Sequence, residues 1–382
     1  MSTILESGAA LVTLNASHIR ALRAVAACAR KRSTKPILTT VMLTLSYDKL
    51  TVTASDLDLY VERDLSLYVE IESGLEFSSC LPANALLGLK TSKARPSVQM
   101  LVHPEWVDID ALKTFTADAR EFPARPATPD SEAHAVHLSY FAGLLAAAPC
   151  AATSETRPTL QAICHRNGQL VATDSHRMVR INGAPQFEQD LLLPAEYAHT
   201  LHSLFPAGGA SVSADALGVH YASTDTRVWV RPVQGAYPDV SRIVPDDFLH
   251  PYVYSCAIDN VAPWVAAHER ALGVVKARPG KVGKDDDPNN IVRLSMSSSS
   301  QAAALSARHA DRGASFSAEL SHTPIRGDGI TLAYNAQFML DALRQVGDGA
   351  TFNFTGTATA FTLLSADRKR PALILPIKVV TS

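Results

Sequence analysis

The 382-residue chain has no excess of charge of either sign: 35 basic and 37 acidic residues leave a net charge of −2. No global positive field therefore advertises a nucleic-acid partner, although a local basic surface can sit inside a neutral total. Cysteine is scarce and odd in number. Cys28, Cys80, Cys150, Cys164 and Cys256 form no CxxC pair, which excludes a zinc framework and predicts reduced, mostly buried thiols of a cytosolic protein. Long apolar runs are missing too. The most apolar helical stretch, from Ala142 to Ala152, is about half a membrane span and contains Pro149, and the first residues, MSTILESGAALV, lack a basic leader region. These absences predict a soluble cytoplasmic protein. The thirteen histidines fall in no HExxH spacing, and neither GxxxxGK[ST] nor GxGxxG occurs. No metal and no cofactor is expected.

What the chain has is repetition. Leu14-Asn15, Leu138-Ser139 and Ile258-Asp259 each open a helix-like run, and a later helical signal recurs from Leu81, Leu193 and Tyr334. A period of roughly 120 residues is the size of a domain, far above that of a solenoid repeat. Three tandem copies of one α+β domain follow, with boundaries at residues 1–126, 127–248 and 249–382. The hydrophobic content of 47% is ample for three buried cores.

Each copy reads helix, strands, helix, strands. Asn15 is placed to cap the first helix, whose stripe is Ile19, Leu22, Val25 and Ala26. The following hairpin alternates, with Leu50, Val52 and Ala54 on a buried face and Thr51, Thr53 and Ser55 on the other. In the second copy Arg166-Asn167-Gly168 supplies the hairpin turn. Aromatic-Pro pairs, Phe122-Pro123 and Tyr237-Pro238, mark the joints between copies. A charged Gly/Pro/Asn stretch from Lys276 to Asn290 interrupts the third copy as a surface loop.

Chemistry-bearing clusters are few. Asp174-Ser175-His176 has the residue types of a triad, but in a strand Ser175 faces away from its neighbours, and no GxSxG elbow surrounds it. Acidic pairs such as Asp56 and Asp58 lack companions for a metal. No catalytic residue is expected, and the chain reads as a non-enzyme. A basic signal does recur around the helices. His18, Arg20, Arg23, Arg30, Lys31, Arg32 and Lys35 crowd the first helix and its turn, with no acid between Asn15 and Lys35. Lys90, Lys93 and Arg95 follow the second helix; His268, Arg270, Lys276 and Arg278 accompany the third copy's first helix. Such a surface suits phosphates, without reading bases.

The strand Val171-Ala172-Thr173-Asp174-Ser175-His176-Arg177-Met178 resembles the central segment of the bacterial sliding clamps, the beta subunits of DNA polymerase III. Lys35-Pro36-Ile37-Leu38, the joint from Tyr237 to Pro245 and the C-terminal Leu373-Ile374-Leu375-Pro376-Ile377 agree in order and spacing. The resemblance covers the whole chain. It implies a head-to-tail homodimer whose six domains close a ring around duplex DNA, helices inward and antiparallel sheets outward. The implied role is a processivity factor for DNA replication that slides on DNA without sequence specificity. The implied partners are double-stranded DNA, the polymerase III alpha subunit, the clamp loader and translesion polymerases.

The resemblance also implies a hydrophobic cleft that receives short peptide motifs from those proteins. From the second copy it would take Leu160, Thr173, His176, Arg177 and Met178. The joint would add Pro238, Arg242 and Ile243, and the C-terminal strand Leu373, Ile374, Leu375, Pro376 and Ile377. His176, Arg177 and Arg242 would fix the peptide's polar ends. For DNA contact, Arg32 matches a family arginine, joined by Lys31, Lys90 and Arg157. Four features depart from the family pattern: Ser175 in place of glycine, Pro158-Thr159 where tyrosines lie near DNA, the insertion after Lys276, and an extension, Val380-Thr381-Ser382. Within this class the alternative is a specialised second clamp for a translesion polymerase or mobile element. Outside it stand a Ser175/His176 hydrolase and a monomeric structural protein.

Overall fold

The computed structural model describes residues 9–46, 49–67, 69–70, 76–110, 112–240, 254–276, 290–297, 299–309, 314–325 and 329–377. The first repeat contributes β1 (Ala10–Asn15), α1 (Ala16–Ala26), β2 (Thr40–Ser46), β3 (Lys49–Ser55), β4 (Leu59–Ser66), β5 (Val69–Glu70) and β6 (Phe77–Pro82). It ends with α2 (Ala83–Leu87), β7 (Ser97–Val102), β8 (Trp106–Ile109) and β9 (Leu112–Phe115). The second has β10 (His134–Val136), α3 (Leu138–Ala147), β11 (Ala162–Arg166), β12 (Gln169–Thr173), β13 (Arg177–Asn182) and β14 (Leu191–Pro194). α4 (Ala198–Leu204), β15 (Ala210–Ala214), β16 (Val219–Ala222) and β17 (Thr226–Val230) complete it. The third runs β18 (Tyr254–Ile258), α5 (Ala262–Val275), β19 (Ile291–Met296), β20 (Ala302–Arg308), β21 (Ser315–Ser321) and β22 (Ile330–Asn335). It closes with α6 (Ala336–Val346), β23 (Ala350–Phe354), β24 (Phe361–Leu364) and β25 (Pro371–Ile374).

The strand pairing repeats with the sequence. Each copy forms one ladder of four strands between its helices (β6-β2-β3-β4, β14-β11-β12-β13, β22-β19-β20-β21). A second ladder joins its first strand to its last three (β1-β7-β8-β9, β10-β15-β16-β17, β18-β23-β24-β25). Successive copies are joined strand to strand: β4 lies antiparallel to β17 with Val61 opposite Val228, and β13 to β25 with Met178 opposite Leu373. Two eight-stranded sheets result.

The chain divides into two compact units, Met1–Ala142 with Glu196–Val233, and Gly143–Ala195 with Gln234–Ser382. The second repeat thus supplies one ladder to each. In the first unit, α1 starts where expected. The Asn15 side chain accepts from the N–H groups of Ser17 (2.9 Å) and His18 (3.0 Å), and His18 Nδ1 accepts from Asn15 N–H. This reciprocal cap satisfies N–H groups the helix itself cannot. Ile19, Leu22, Val25 and Ala26 are buried, each large side chain contributing about 1.5–3 kcal/mol. In the second unit Trp264, Tyr334, Phe352, Phe354 and Phe361 are fully buried in one core.

Two expectations change. Thr53 and Ser55, assigned to an open sheet face, are buried at 1% and 2% exposure. Their face is covered: Glu62, opposite Thr53, is bridged by Arg125 (2.8 Å) and Arg227 (3.1 Å), while Phe122 packs on Tyr60. His268, counted with the basic surface, is wholly buried, its Nδ1 2.7 Å from the Trp264 carbonyl and its Nε2 2.9 Å from the Tyr334 hydroxyl. Burial pushes its pKa down to about 4, so it carries no charge at neutral pH.

All five cysteines are free and buried. No helix among the described residues is long and apolar enough to cross a membrane.

Candidate functional site

β12 ends at Thr173 and β13 begins at Arg177, and Asp174, Ser175 and His176 form the turn between them rather than continuing a strand. The turn is closed by its own side chains. Asp174 Oδ1 accepts the N–H of His176 (2.9 Å) and of Arg177 (3.0 Å), and its other oxygen takes Arg177 Nε at 3.0 Å. The Thr173 hydroxyl donates to the Arg177 carbonyl (2.7 Å) and accepts from Ser175 N–H (3.1 Å). Asp174 is consumed by this turn, and the Ser175 hydroxyl accepts from Arg157 Nη1 at 2.7 Å. A relay from Asp174 through His176 to Ser175 is not the arrangement formed.

Ser175 has φ +78°, the left-handed region that glycine enters without penalty. The glycine expected from the resemblance would relax this turn, and serine holds it under strain.

The end of β25 is laid against this turn. Met178 faces Leu373, Arg177 faces Ile374, and Leu375 N–H donates to the His176 carbonyl at 2.9 Å. Leu160, Met178, Leu373 and Ile374 are buried, at 5%, 4%, 5% and 1% exposure. They form the floor; the surface belongs to exposed His176 and Leu375 and to half-buried Pro376 and Ile377. Ile377 N–H is held by the Ala333 carbonyl (2.8 Å), which fixes the strand's exit.

The joint is pinned beside the turn. The buried Tyr237 hydroxyl accepts Thr173 N–H at 3.0 Å, and burial holds that phenol neutral far above its ordinary range. Arg166, paired with Asp190, donates to the carbonyls of Tyr237 (3.3 Å) and Pro238 (3.1 Å). Pro238 is exposed. Arg242 and Ile243 lie outside the described residues, as do Val380, Thr381, Ser382 and most of the insertion after Lys276.

Arg177 is not a free cation. Its guanidinium meets Asp174, Asp341 (2.6 Å) and the Pro149 carbonyl, and stacks over Phe338 at 4.2 Å. Asp341 and Phe338, both on α6, were not singled out from sequence. Nothing local marks them, because their partner is about 160 residues away. The site offers an apolar strip with an imidazole and the Arg157 guanidinium at its rim. That chemistry suits apolar side chains of a short segment with polar groups beside them.

In the first unit, Lys31 and Arg32 lie exposed in the turn after α1, Arg20 and Arg23 on its outer face, and Lys90 beyond α2. Among the described residues none of these five pairs with a carboxylate. Arg30 and Arg95 do, with Asp58 and Asp110. Arg157, expected from sequence at the DNA, lies at the turn between β12 and β13, where it donates to Ser175.

No protein-family model matches the chain. The Beta sliding clamp of Staphylococcus epidermidis is 23% identical over 373 residues, covering 91% of this chain and 93% of that protein. The DNA polymerase sliding clamp of Bacillus subtilis superposes with a TM-score of 0.80 over 98% of this chain and 100% of that one, at 22% identity. The DNA polymerase III subunit beta of Pseudomonas aeruginosa, solved with griselimycin bound, gives 0.78 over 97% and 100%, at 17% identity. In sequence and in fold, the chain is similar to the bacterial beta sliding clamps over nearly its whole length.

Proposed function

We propose that this chain is a DNA polymerase processivity factor: a ring that encircles duplex DNA without reading its sequence and tethers polymerases through the cleft at Thr173–Met178. One observation carries the ring. Copies are joined by pairing the outer strand of one copy's inter-helix ladder with the last strand of the next copy, β4 with β17 and β13 with β25. Two such strands end their sheets among the described residues: β21 in the third copy and β9 in the first. The same rule applied again pairs β21 of one chain with β9 of a second. β9 carries Phe115 at 85% exposure and Leu112 at 47%, apolar surface that a partner strand would cover. Two such joints close a head-to-tail homodimer of six domains, three per chain at residues 1–126, 127–248 and 249–382.

The first unit's cations that meet no carboxylate among the described residues support a DNA contact made through backbone charge. The partners are double-stranded DNA, the polymerase III alpha subunit, a clamp loader and translesion polymerases, in the cytoplasm. The cleft proposed for them comprises the thirteen residues named above, with His176 at its rim. It requires no catalytic group.

The test is topological. A ring loaded on nicked circular duplex must stay bound through gel filtration and be lost when the circle is linearised. Equal retention on linear DNA would refute the ring, and a solution mass of one chain would refute the dimer. His176→Ala should weaken binding of a polymerase tail peptide about tenfold while leaving retention on circles unchanged.

A further inference from the structure

The turn at the cleft has a counterpart in the first unit. Ser55, ending β3, donates its hydroxyl to the Leu59 carbonyl (3.0 Å) and accepts Leu57 N–H (3.1 Å), as Thr173 does for Arg177 and Ser175. Asp56 Oδ1 accepts the N–H groups of Asp58 (3.0 Å) and Leu59 (2.6 Å), as Asp174 does for His176 and Arg177. Arg231 N–H donates to the Asp58 carbonyl at 2.8 Å, matching Leu375 and His176, and a proline follows each, Pro232 and Pro376. Short helical turns beginning at Pro36 and Pro158 lead to Leu38 and Leu160, whose carbonyls accept the N–H groups of Arg30 (2.9 Å) and Ala152 (2.8 Å).

The differences lie at the rim. Leu57 occupies the position of Ser175, also left-handed at φ +83°. A leucine there is sterically disfavoured, and at 45% exposure no core burial offsets the strain. Two guanidiniums bracket it. Arg30 Nε donates to the Asp56 carbonyl (2.9 Å) and Arg30 Nη2 lies 3.8 Å from Asp58, while Arg231 Nη1 lies 3.0 Å from Asp58. The Asp56 carboxylate is committed to the turn and to the Tyr197 hydroxyl (3.1 Å), so Asp58 serves both cations. The Arg30 and Arg231 side chains are 43% and 65% exposed, and surface pairs of this kind yield to an incoming carboxylate at little cost.

We propose that Asp56-Leu57-Asp58 is a second docking site, for a short segment of a partner protein that carries an acidic residue beside an apolar anchor. Leu57 supplies the apolar contact, and Arg30 and Arg231 receive the carboxylate. The proposal rests on the cleft at Ser175 being a peptide site, because it is that cleft's turn that is duplicated. Phosphates of DNA would use the arginines but have no use for an exposed leucine.

The experiment titrates the full-length protein with a fluorescein-labelled nonapeptide in which aspartates flank a Leu-Phe pair. Two sites per chain are expected. Leu57→Gly should remove one of them while keeping or raising the thermal midpoint, because glycine suits the left-handed turn. Arg231→Glu should weaken that same site at least tenfold, and His176→Ala should affect only the other. One site per chain, sensitive to His176→Ala and indifferent to Leu57→Gly, would overturn the second site and leave the first standing. Absence of binding, or binding that none of the three changes, would overturn both. A fall of several degrees in the Leu57→Gly midpoint, or loss of DNA retention in that variant, would assign Leu57 to folding or to DNA and end the proposal.

Discussion

Arg177 Nη1 sits 2.6 Å from an Asp341 carboxylate oxygen, a strand residue of the second repeat tied to a helix residue of the third. Both side chains are mostly buried, at 12% and 16% exposure, and Phe338, one helical turn before Asp341, lies flat beneath the guanidinium. Removing one partner of such a pair strands the other charge in a poorly solvated place. Asp341→Ala should therefore destabilise the second unit by about 3 kcal/mol, read as a lower denaturant midpoint. Because Arg177 also braces the turn at Ser175, peptide binding should weaken with it. An unchanged midpoint would show that Asp174 alone suffices.

Acid should destabilise the second unit before any carboxylate of ordinary pKa protonates. His268 and His165 are buried, and burial lowers both to about 4. An unfolded histidine titrates near 6.5, so the unfolded state takes up the proton first as pH falls. The stability from keeping each ring neutral is complete above about pH 6.5 and is lost progressively toward pH 4. Each ring accounts for about 3 kcal/mol over that range, at about 1.4 kcal/mol per pH unit. Thermal midpoints measured from pH 7 to pH 4 should fall, and His268→Gln should flatten the slope by about one proton.

Gly208 and Gly209 make a paired test of backbone against space. Both are left-handed, at φ +66° and +68°. A Cβ at Gly208 would come within 2.4 Å of the Leu138 backbone nitrogen, whereas one at Gly209 meets nothing within 4 Å. Gly209→Ala should cost about 1 kcal/mol from the conformation alone. Gly208→Ala should cost about 3 kcal/mol or more, because backbone cannot step aside as a side chain can. Equal thermal shifts for the two would mean that α3 moves freely at its start.

DNA affinity should depend on the cations that meet no carboxylate among the described residues. Arg32→Ala should lower the slope of log affinity against log salt by about one unit, and Lys31→Ala similarly. Arg95→Ala should change it little, since Arg95 is already paired with Asp110. The measurement is anisotropy with fluorescent duplex at several salt concentrations. A steeper loss for Arg95 than for Arg32 would put the DNA on a different face.

Much of the fold was legible along the chain. The Asn15 cap, the Ile19–Leu22–Val25 stripe and the Asn167-Gly168 hairpin turn all depend on neighbours within four residues, which the sequence displays directly. The strand through Ser175 was not legible as a turn. Its alternation looks continuous, and the break comes from Asp174 and Thr173 capping the backbone, reinforced by β25 nearly 200 residues later. His268 misled for a related reason: a histidine on a helix looks like surface until Trp264 and Tyr334 close over it.

By itself, then, the sequence determined that one α+β unit occurs three times, where its helices begin and which residues carry charge, because periodicity, caps and turn residues act locally. The tertiary structure decided which charges are spent and which are free. Arg177, Arg30 and Arg95 find carboxylates; Arg32 and Lys31 meet none among the described residues. It also decided that the apolar residues of the proposed cleft divide into buried Leu160, Met178, Leu373 and Ile374 and exposed Leu375, and that Leu57 stands where Ser175 does in a duplicated turn. Those outcomes rest on strand pairings between residues far apart in the chain, and no local pattern encodes which distant strand will lie alongside.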